Sequence, residues 1–368
     1  MEASTRVSLG RIIAQGLVPA TAACSPLDAV ENLAALQGQQ ASAIPWAIGV
    51  RCTGVSRARV EESFARGELV RSWPMRGTVH VTSARDHHWL RRLLRHRRAA
   101  WERQALSLGL TDALVERAAQ VACELLETSP LGVSRVELVE AWGRNGIDTV
   151  TASSSQEGLR RRHLIMRLHL DGVLTAGPVR AGEHLIVDAR LLPAAPGVAK
   201  GEPGHEEALA VLAARYAWGH GPIDAADLAR WTGLTLTEAR RALAGARVAG
   251  ESVGLPLAEC GGGLARADLA DLVEDYRVEA EVMRALPPFD ELHVGYKDRS
   301  CLTDEAGEAL ICPAKNGMFR PIVVEGGRVV AVRAPGREIV MVKGYESRRR
   351  PAARAFDDWE KWLSETQQ

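Results

Sequence analysis

No stretch of this sequence approaches the ~20 consecutive apolar residues that a membrane-spanning helix requires. The longest apolar runs, such as Ala208 to Ala214, stop far short. Met1 to Gly10 lacks the charged start and apolar core of a secretory signal, so a cytoplasmic, nucleoid-associated protein with no membrane partner is expected. Six cysteines (Cys24, Cys52, Cys123, Cys260, Cys301 and Cys312) are scattered, with no CxxC pair and no Cys/His cluster at zinc-ligand spacing. That pattern predicts reduced thiols, no structural metal and no cofactor. Cys301 and Cys312 are the closest pair and are placed to flank a hairpin. Aromatic residues make up only 5% of the chain, and there is no net charge. The missing positive charge at first argues against nucleic acid, because phosphate contacts dominate that affinity.

The distribution of charge softens the objection. The first 184 residues hold 23 arginines against 18 acidic residues, and the remainder carries the opposite excess. The basic side chains bunch at Arg91, Arg92, Arg95, Arg97 and Arg98, and again at Arg160, Arg161, Arg162 and Arg167. A basic patch on a neutral protein is a usable electrostatic footprint; a solvated helix face explains either cluster equally well.

At 368 residues the chain exceeds one ordinary core. Three segments repeat one plan, two short amphipathic helices followed by a pair of short strands. In the first, a Ser/Pro start predicts a capped helix over Ser25 to Leu36. A second helix over Ser56 to Arg66 stops at Gly67, and strands Leu69 to Met75 and Thr78 to Thr82 form a hairpin wing. The second copy has helices over Ser134 to Gly146 and Gln156 to Asp171, then strands at Val173 to Ala176 and His184 to Val187. The third has Asp224 to Thr232 and Thr235 to Ala246, with a degenerate wing from Val253 to Leu257 and a glycine-rich loop at Cys260 to Gly263. Linking helices over Asp86 to Leu106 and Thr111 to Glu127, and a Pro/Gly/Ala linker over Pro193 to Pro203, separate the units. Residues Leu292 to Val342 look strand-rich, with turn signals at Glu305 to Gly307, Asn316 and Gly317, and Gly326 and Gly327. A last helix carrying Phe356, Trp359 and Trp362 is expected to dock on the body. The fold expected is therefore α+β, mainly helical: residues 1–85, 86–192 and 193–285 each hold one winged-helix motif, and 286–368 form a strand-rich C-terminal region.

Several blocks carry a resemblance. They are Leu33 to Gln40; Pro45 and Trp46; Val70 to His80; Trp231 to Leu234; Pro288 to Glu291; Gly295 to Arg299; and Asn316 to Pro321. Together they resemble the bacterial winged-helix DNA glycosylases of the azinomycin-resistance (AlkZ) type, over nearly the whole chain. The resemblance implies three tandem winged-helix motifs around a concave DNA-binding surface, with paired glutamines as catalytic residues, which by motif match are Gln37 and Gln39.

The residues are compatible with that role. Positions i and i+2 diverge on a helix but share a side in an extended segment, and Gly38 is a natural place for a helix to end. On spacing alone, two solvated amides at a helix end would be the ordinary explanation. An N7-alkylated guanine is already a cationic leaving group, so what remains is to place water and stabilise an oxocarbenium-like sugar. An amide carbonyl can do both without a useful pKa. The expected activity is therefore monofunctional excision of bulky N7-alkylpurines, including unhooking of interstrand crosslinks, by a monomer acting on double-stranded DNA. Candidate DNA contacts are Arg71, Arg76, His80, Arg91, Arg92, Arg95, Arg97, Arg98, Arg160, Arg161, Arg162, Lys297 and Arg299. Wing packing suits Arg76 and His80 as well as a phosphate contact does. For Asp290, Glu291, Asp298 and Arg299, intramolecular ion pairs are expected. The rival readings are a non-catalytic winged-helix regulator and a small-molecule enzyme with a pocket between repeats.

Overall fold

A computed structural model describes residues 2–75, 77–95, 99–147, 149, 154–193 and 197–365. The protein is α+β and mainly helical, with small antiparallel sheets. It divides into two compact units, residues 1–60 with 206–368, and residues 61–205. Among the described residues no helix is long and apolar enough to cross a membrane.

In the first unit, the helix Ala3–Ala14 places Leu9, Ile12 and Ile13 at i, i+3 and i+4, all fully buried, in one core with Leu269, Leu286, Ile322 and Val324. Four short strands lie in the order Ile339–Met341, Arg328–Arg333, Ile322–Glu325 and Arg284–Leu286, every pair antiparallel. The C-terminal helix Arg349–Ser364 buries Ala352, Phe356 and Trp359 at i, i+4 and i+7 against Ala285, Val323, Val330 and Ala331. Trp362 is half-buried and donates its indole N–H to the Val55 carbonyl at 3.0 Å. Its ring needs a glycine beneath it, since a Cβ on Gly49 would lie 2.4 Å from the indole.

The second unit sets the strands Thr78–Ser83, Leu69–Met75, Leu174–Arg180 and Glu183–Asp188 side by side, all antiparallel. The helix Asp112–Glu127 buries Val115, Ala118, Ala122 and Leu126 beside Trp142, whose indole N–H donates to the Ala118 carbonyl at 2.9 Å.

The order helix, helix, hairpin recurs among the described residues, in its first occurrence with the short helix Ile44–Gly49 between the two helices. It comprises Pro26–Asn32, Arg57–Ala65 and Leu69–Met75 with Thr78–Ser83; then Arg135–Arg144, Ser154–Asp171 and Leu174–Arg180 with Glu183–Asp188; then Ala225–Thr232, Leu236–Ser252 and Leu257–Cys260 with Gly263–Arg266. The third hairpin is complete and not degenerate. Its strands pair from Leu257 with Arg266 to Cys260 with Gly263, and Gly261 and Gly262, both at positive φ, form the two-residue turn. The strand begins at Leu257, four residues later than the apolar run suggested.

Two further expectations need correction. The stretch Asp86 to Leu106 is two helices, Ala84–Leu93 and Ala99–Ser107, not one. The region Leu292 to Val342 contains helices as well as strands, because two aspartates cap helices where the composition suggested turns. Asp290 accepts from Leu292 N at the head of Glu291–Val294, and Asp304 accepts from Gly307 N at the head of Glu305–Ile311. Cys301 and Cys312 therefore flank a helix and not a hairpin.

Candidate functional site

The segment carrying Gln37 and Gln39 follows a short helix that stops early. Ser25 caps Pro26–Asn32, its hydroxyl accepting from Asp28 N at 3.1 Å, with Pro26 in the first turn. The helix ends a turn before the expected Leu36. Ala34, not Gly38, takes the left-handed position at φ 60° and reverses the chain. That conformation costs a non-glycine residue about 1 kcal/mol, and the fully buried run Leu33 to Leu36 holds it in place. Packing behind the helix end is equally tight, since a Cβ on Gly219 would lie 2.0 Å from the Asn32 carbonyl oxygen. Leu36–Gln37 then runs extended, Gly38 is buried, and Gln39 sits in a bend. Both glutamines remain half-exposed, while Gln40 is exposed and donates to Ser42 Oγ at 3.2 Å.

What fixes this segment is a buried polar network from elsewhere in the same unit. The Gln37 backbone N–H donates to Glu291 Oε1 at 2.8 Å. Glu291 is 1% exposed, and its other oxygen lies 3.3 Å from His220 Nε2, itself fully buried. Next to it, Asp290 forms a bidentate pair with Arg51 at 2.8 and 2.9 Å. Burial opposes the Arg51 charge, but the Asp290 carboxylate outweighs it and holds the guanidinium above its ordinary pKa. Arg51 also donates to Gln15 Oε1 at 2.8 Å, and Gln15 donates to the Tyr296 hydroxyl at 2.8 Å. That hydroxyl donates in turn to the His220 carbonyl at 2.8 Å. Burial pushes the Tyr296 phenol far up, so it stays a neutral donor. Arg11 stacks over the Tyr296 ring at 3.7 Å and pairs with Asp227 at 3.0 Å. Asp227 also accepts from Lys297 N at 2.7 Å. The blocks Pro288 to Glu291 and Gly295 to Arg299 thus share one interior with the Gln37 segment. Glu291, His220, Arg51, Gln15 and Tyr296 were not assigned to the glutamines from sequence; only the Asp-Glu pair after an apolar block hinted at them.

The candidate DNA contacts fare unevenly. Arg76, Arg97 and Arg98 lie outside the described residues. The His80 ring is fully buried with Nδ1 3.1 Å from the Thr78 carbonyl, the wing-packing arrangement. Arg71 is half-buried, and burial together with Arg135 lowers its pKa to about 10. Arg91 donates to the Leu170 carbonyl at 3.0 Å, Arg92 pairs with Glu202 at 2.6 Å, and Arg95 pairs with Asp171 at 3.3 Å. On Ser154–Asp171, Arg160 and Arg161 are half-buried and Arg162 is exposed. Lys297 is exposed, whereas Arg299 pairs with Glu308 at 3.3 Å. The expected ion-pair role fits Asp290 and Arg299; the Asp298 side chain instead accepts from Ser300 N. Among the described residues no group of three or more His, Cys, Asp or Glu is placed to hold a metal.

Half-exposed amides on a rigid, buried-ion foundation suit chemistry that needs positioned dipoles and no titrating base. The family described as DNA glycosylase AlkZ-like matches residues 30–356. The Streptomyces sahachiroi DNA glycosylase AlkZ superposes with a TM-score of 0.69, covering 99% of this chain and 96% of that one at 21% identity, a likeness of fold. No curated protein matches the sequence. With the family model aligned over most of its length, the chain belongs to the AlkZ-like DNA glycosylases, hydrolases that act on N-glycosyl bonds in DNA repair.

Proposed function

We propose that the protein excises bulky N7-alkylpurines from duplex DNA, crosslinked ones included, as a monomer, and that Gln37 and Gln39 are its catalytic residues. The observation that carries this reading is the rigid backbone at Gln37, tied to a buried carboxylate at 2.8 Å while both glutamine side chains remain half-exposed. The amide oxygens orient the attacking water and present partial negative charge to the oxocarbenium-like sugar, and the cationic base departs without an acid. Positioning of this kind supplies several kcal/mol, enough for a labile bond and too little for an unmodified base. The exposed part of the arginine run Arg160 to Arg162 and, in the other unit, Lys297 each supply phosphate contacts, and three winged-helix motifs carry the DNA contacts.

The lesion is held without full extrusion, since a base tied to the opposite strand cannot rotate ~180° into a pocket. Trp46, the aromatic nearest the glutamines in sequence, supports this. Its indole N–H donates to the Ala285 carbonyl at 2.9 Å and its ring packs between Trp359 and Trp362, so it is committed to the core. The test is single-turnover excision of N7-methylguanine, a bulky N7 monoadduct and an interstrand crosslink. Gln37→Ala and Gln39→Ala should each lose more than ~10-fold in rate with little change in DNA affinity. Wild-type rates in both variants, or activity confined to the smallest adduct, overturn the reading.

A further inference from the structure

We infer that Glu291 is a positioning residue for the glycosylase reaction: it anchors the Gln37 backbone, with His220 clamping its second oxygen, and so sets where the Gln37 amide meets the sugar. The inference rests on Gln37 being catalytic, as proposed above, and adds a residue that touches neither DNA nor water.

The geometry points one way. At 1% exposure Glu291 has no access to a substrate, which excludes a role as general base. Its Oε1 accepts the Gln37 N–H at 2.8 Å, across 254 positions of sequence. With the carboxylate ionised, the 3.3 Å contact to Oε2 requires the proton on His220 Nε2. The imidazole is held in turn. It stacks on Tyr216 at 4.5 Å, Tyr216 stacks on Trp231 at 4.7 Å, and the Tyr216 hydroxyl donates to the Gly295 carbonyl at 2.5 Å.

The backbone supporting Glu291 is strained toward the same end. Phe289, buried and bulky, sits at φ 62°. Such a residue is a genuine outlier, and outliers of this kind collect where a site must be held. The turn it makes directs Asp290 to Arg51 and Glu291 to Gln37 from adjacent positions. Gly295 completes the cradle: a Cβ there would lie 2.6 Å from the Glu291 carbonyl oxygen, 3.0 Å from Glu291 Oε2 and 3.2 Å from the His220 ring. A displacement of about 1 Å at a reacting group can cost 10²-fold in rate, so a carboxylate held this firmly has a catalytic use beyond stability.

Five variants test the inference on a defined duplex carrying one bulky N7-alkylguanine. They are scored by single-turnover rate, DNA affinity and thermal melting. Glu291→Ala should lose about tenfold to a hundredfold in rate with affinity nearly unchanged. Glu291→Gln keeps the side-chain length and an oxygen facing the Gln37 N–H, and should recover most of that loss. Glu291→Asp keeps the charge but falls short by one methylene, and should resemble alanine. Because Glu291 acts through Gln37, the pair Gln37→Ala with Glu291→Ala should be no slower than Gln37→Ala alone. Should Glu291→Ala unfold the protein, the contrast between glutamine and aspartate carries the same decision. A rate loss in Gln37→Ala with a wild-type rate in Glu291→Asp overturns the positioning role alone, as does a fully additive double variant. A wild-type rate in Gln37→Ala overturns the catalytic reading and this inference with it.

Discussion

In the unit formed by residues 1–60 and 206–368, buried cations meet carboxylates: Arg51 with Asp290 and Arg11 with Asp227. In residues 61–205 burial lowers the pKa of the buried histidines His87, His169 and His184. His169 is lowered to about 3 by burial and then by Arg71, and His184 to about 4 by burial, with Arg71 adding to it. His87 is driven down by burial and by His88. The contrast separates two uses of a buried polar group. The bidentate Arg51–Asp290 pair in the first unit fixes a direction, because such a contact admits one geometry. Neutral rings in the second unit fill space and make single contacts, such as His169 Nδ1 with Ser72 Oγ at 3.0 Å.

The largest expected effect tests the paired side. Asp290→Ala leaves the Arg51 charge buried and unpaired, at a cost of about 3–5 kcal/mol, which should lower the melting temperature by about 10 °C. An unchanged melt would mean that Arg51 is paired by something other than Asp290, and the contrast between the units would collapse.

Next comes acid. His169 and His184 each have a folded-state pKa below the ordinary ~6.5, so the unfolded chain takes up the extra protons. Their contribution to stability is complete above about pH 6.5 and is lost as pH falls toward about 4 for His184 and about 3 for His169. On the order of 3 kcal/mol each is at stake. His169→Gln should flatten the fall in melting temperature between pH 6.5 and 4; a curve as steep as wild type would show that the ring is not the group responsible.

A smaller effect concerns the outer face of the second unit. Replacing Arg160, Arg161 and Arg162 together by glutamine should reduce the salt dependence of DNA binding by about one unit of slope per lost phosphate contact, for any DNA sequence. The same change at Arg91, Arg92 and Arg95 should do less, because those three already have partners inside the protein. The reverse ranking would move the DNA-binding surface to the helix Ala84–Leu93. Smallest of all is Glu202→Gln. It breaks the exposed pair with Arg92 and should leave the melting temperature nearly unchanged, in line with exposed ion pairs generally. A loss as large as that of Asp290→Ala would erase the distinction between buried and exposed pairs on which the comparison stands.

Much of this was legible in the sequence where the signal is local. Ser25 with Pro26 announces a helix start and caps it as expected, and Ser134 with Glu137 and Thr235 with Glu238 form full capping boxes. Arg76 and Gly77 between two β-branched runs announced the first hairpin, whose strands fall at Leu69–Met75 and Thr78–Ser83. The motif at Gln37 and Gln39 was visible as well, and so was the ionic character of Asp290 and Arg299. Local signals misled where one residue type serves two structures. Gly38 looked like the helix end but Ala34 takes the left-handed position, and Glu305 to Gly307 looked like a turn but starts a helix capped by Asp304.

The sequence by itself determined the capped helices, the hairpins and the chemical character of the two amides, because caps, periodicity and turn geometry act over four or five residues. Only the tertiary structure decided that Glu291 stands behind Gln37, that His80 is sealed in a wing, and that Arg51 belongs to Asp290. Those are pairings between residues far apart in the chain. What selects them is the cost of leaving a buried charge or hydrogen-bond donor without a partner, and that cost exists only once the core has closed around them.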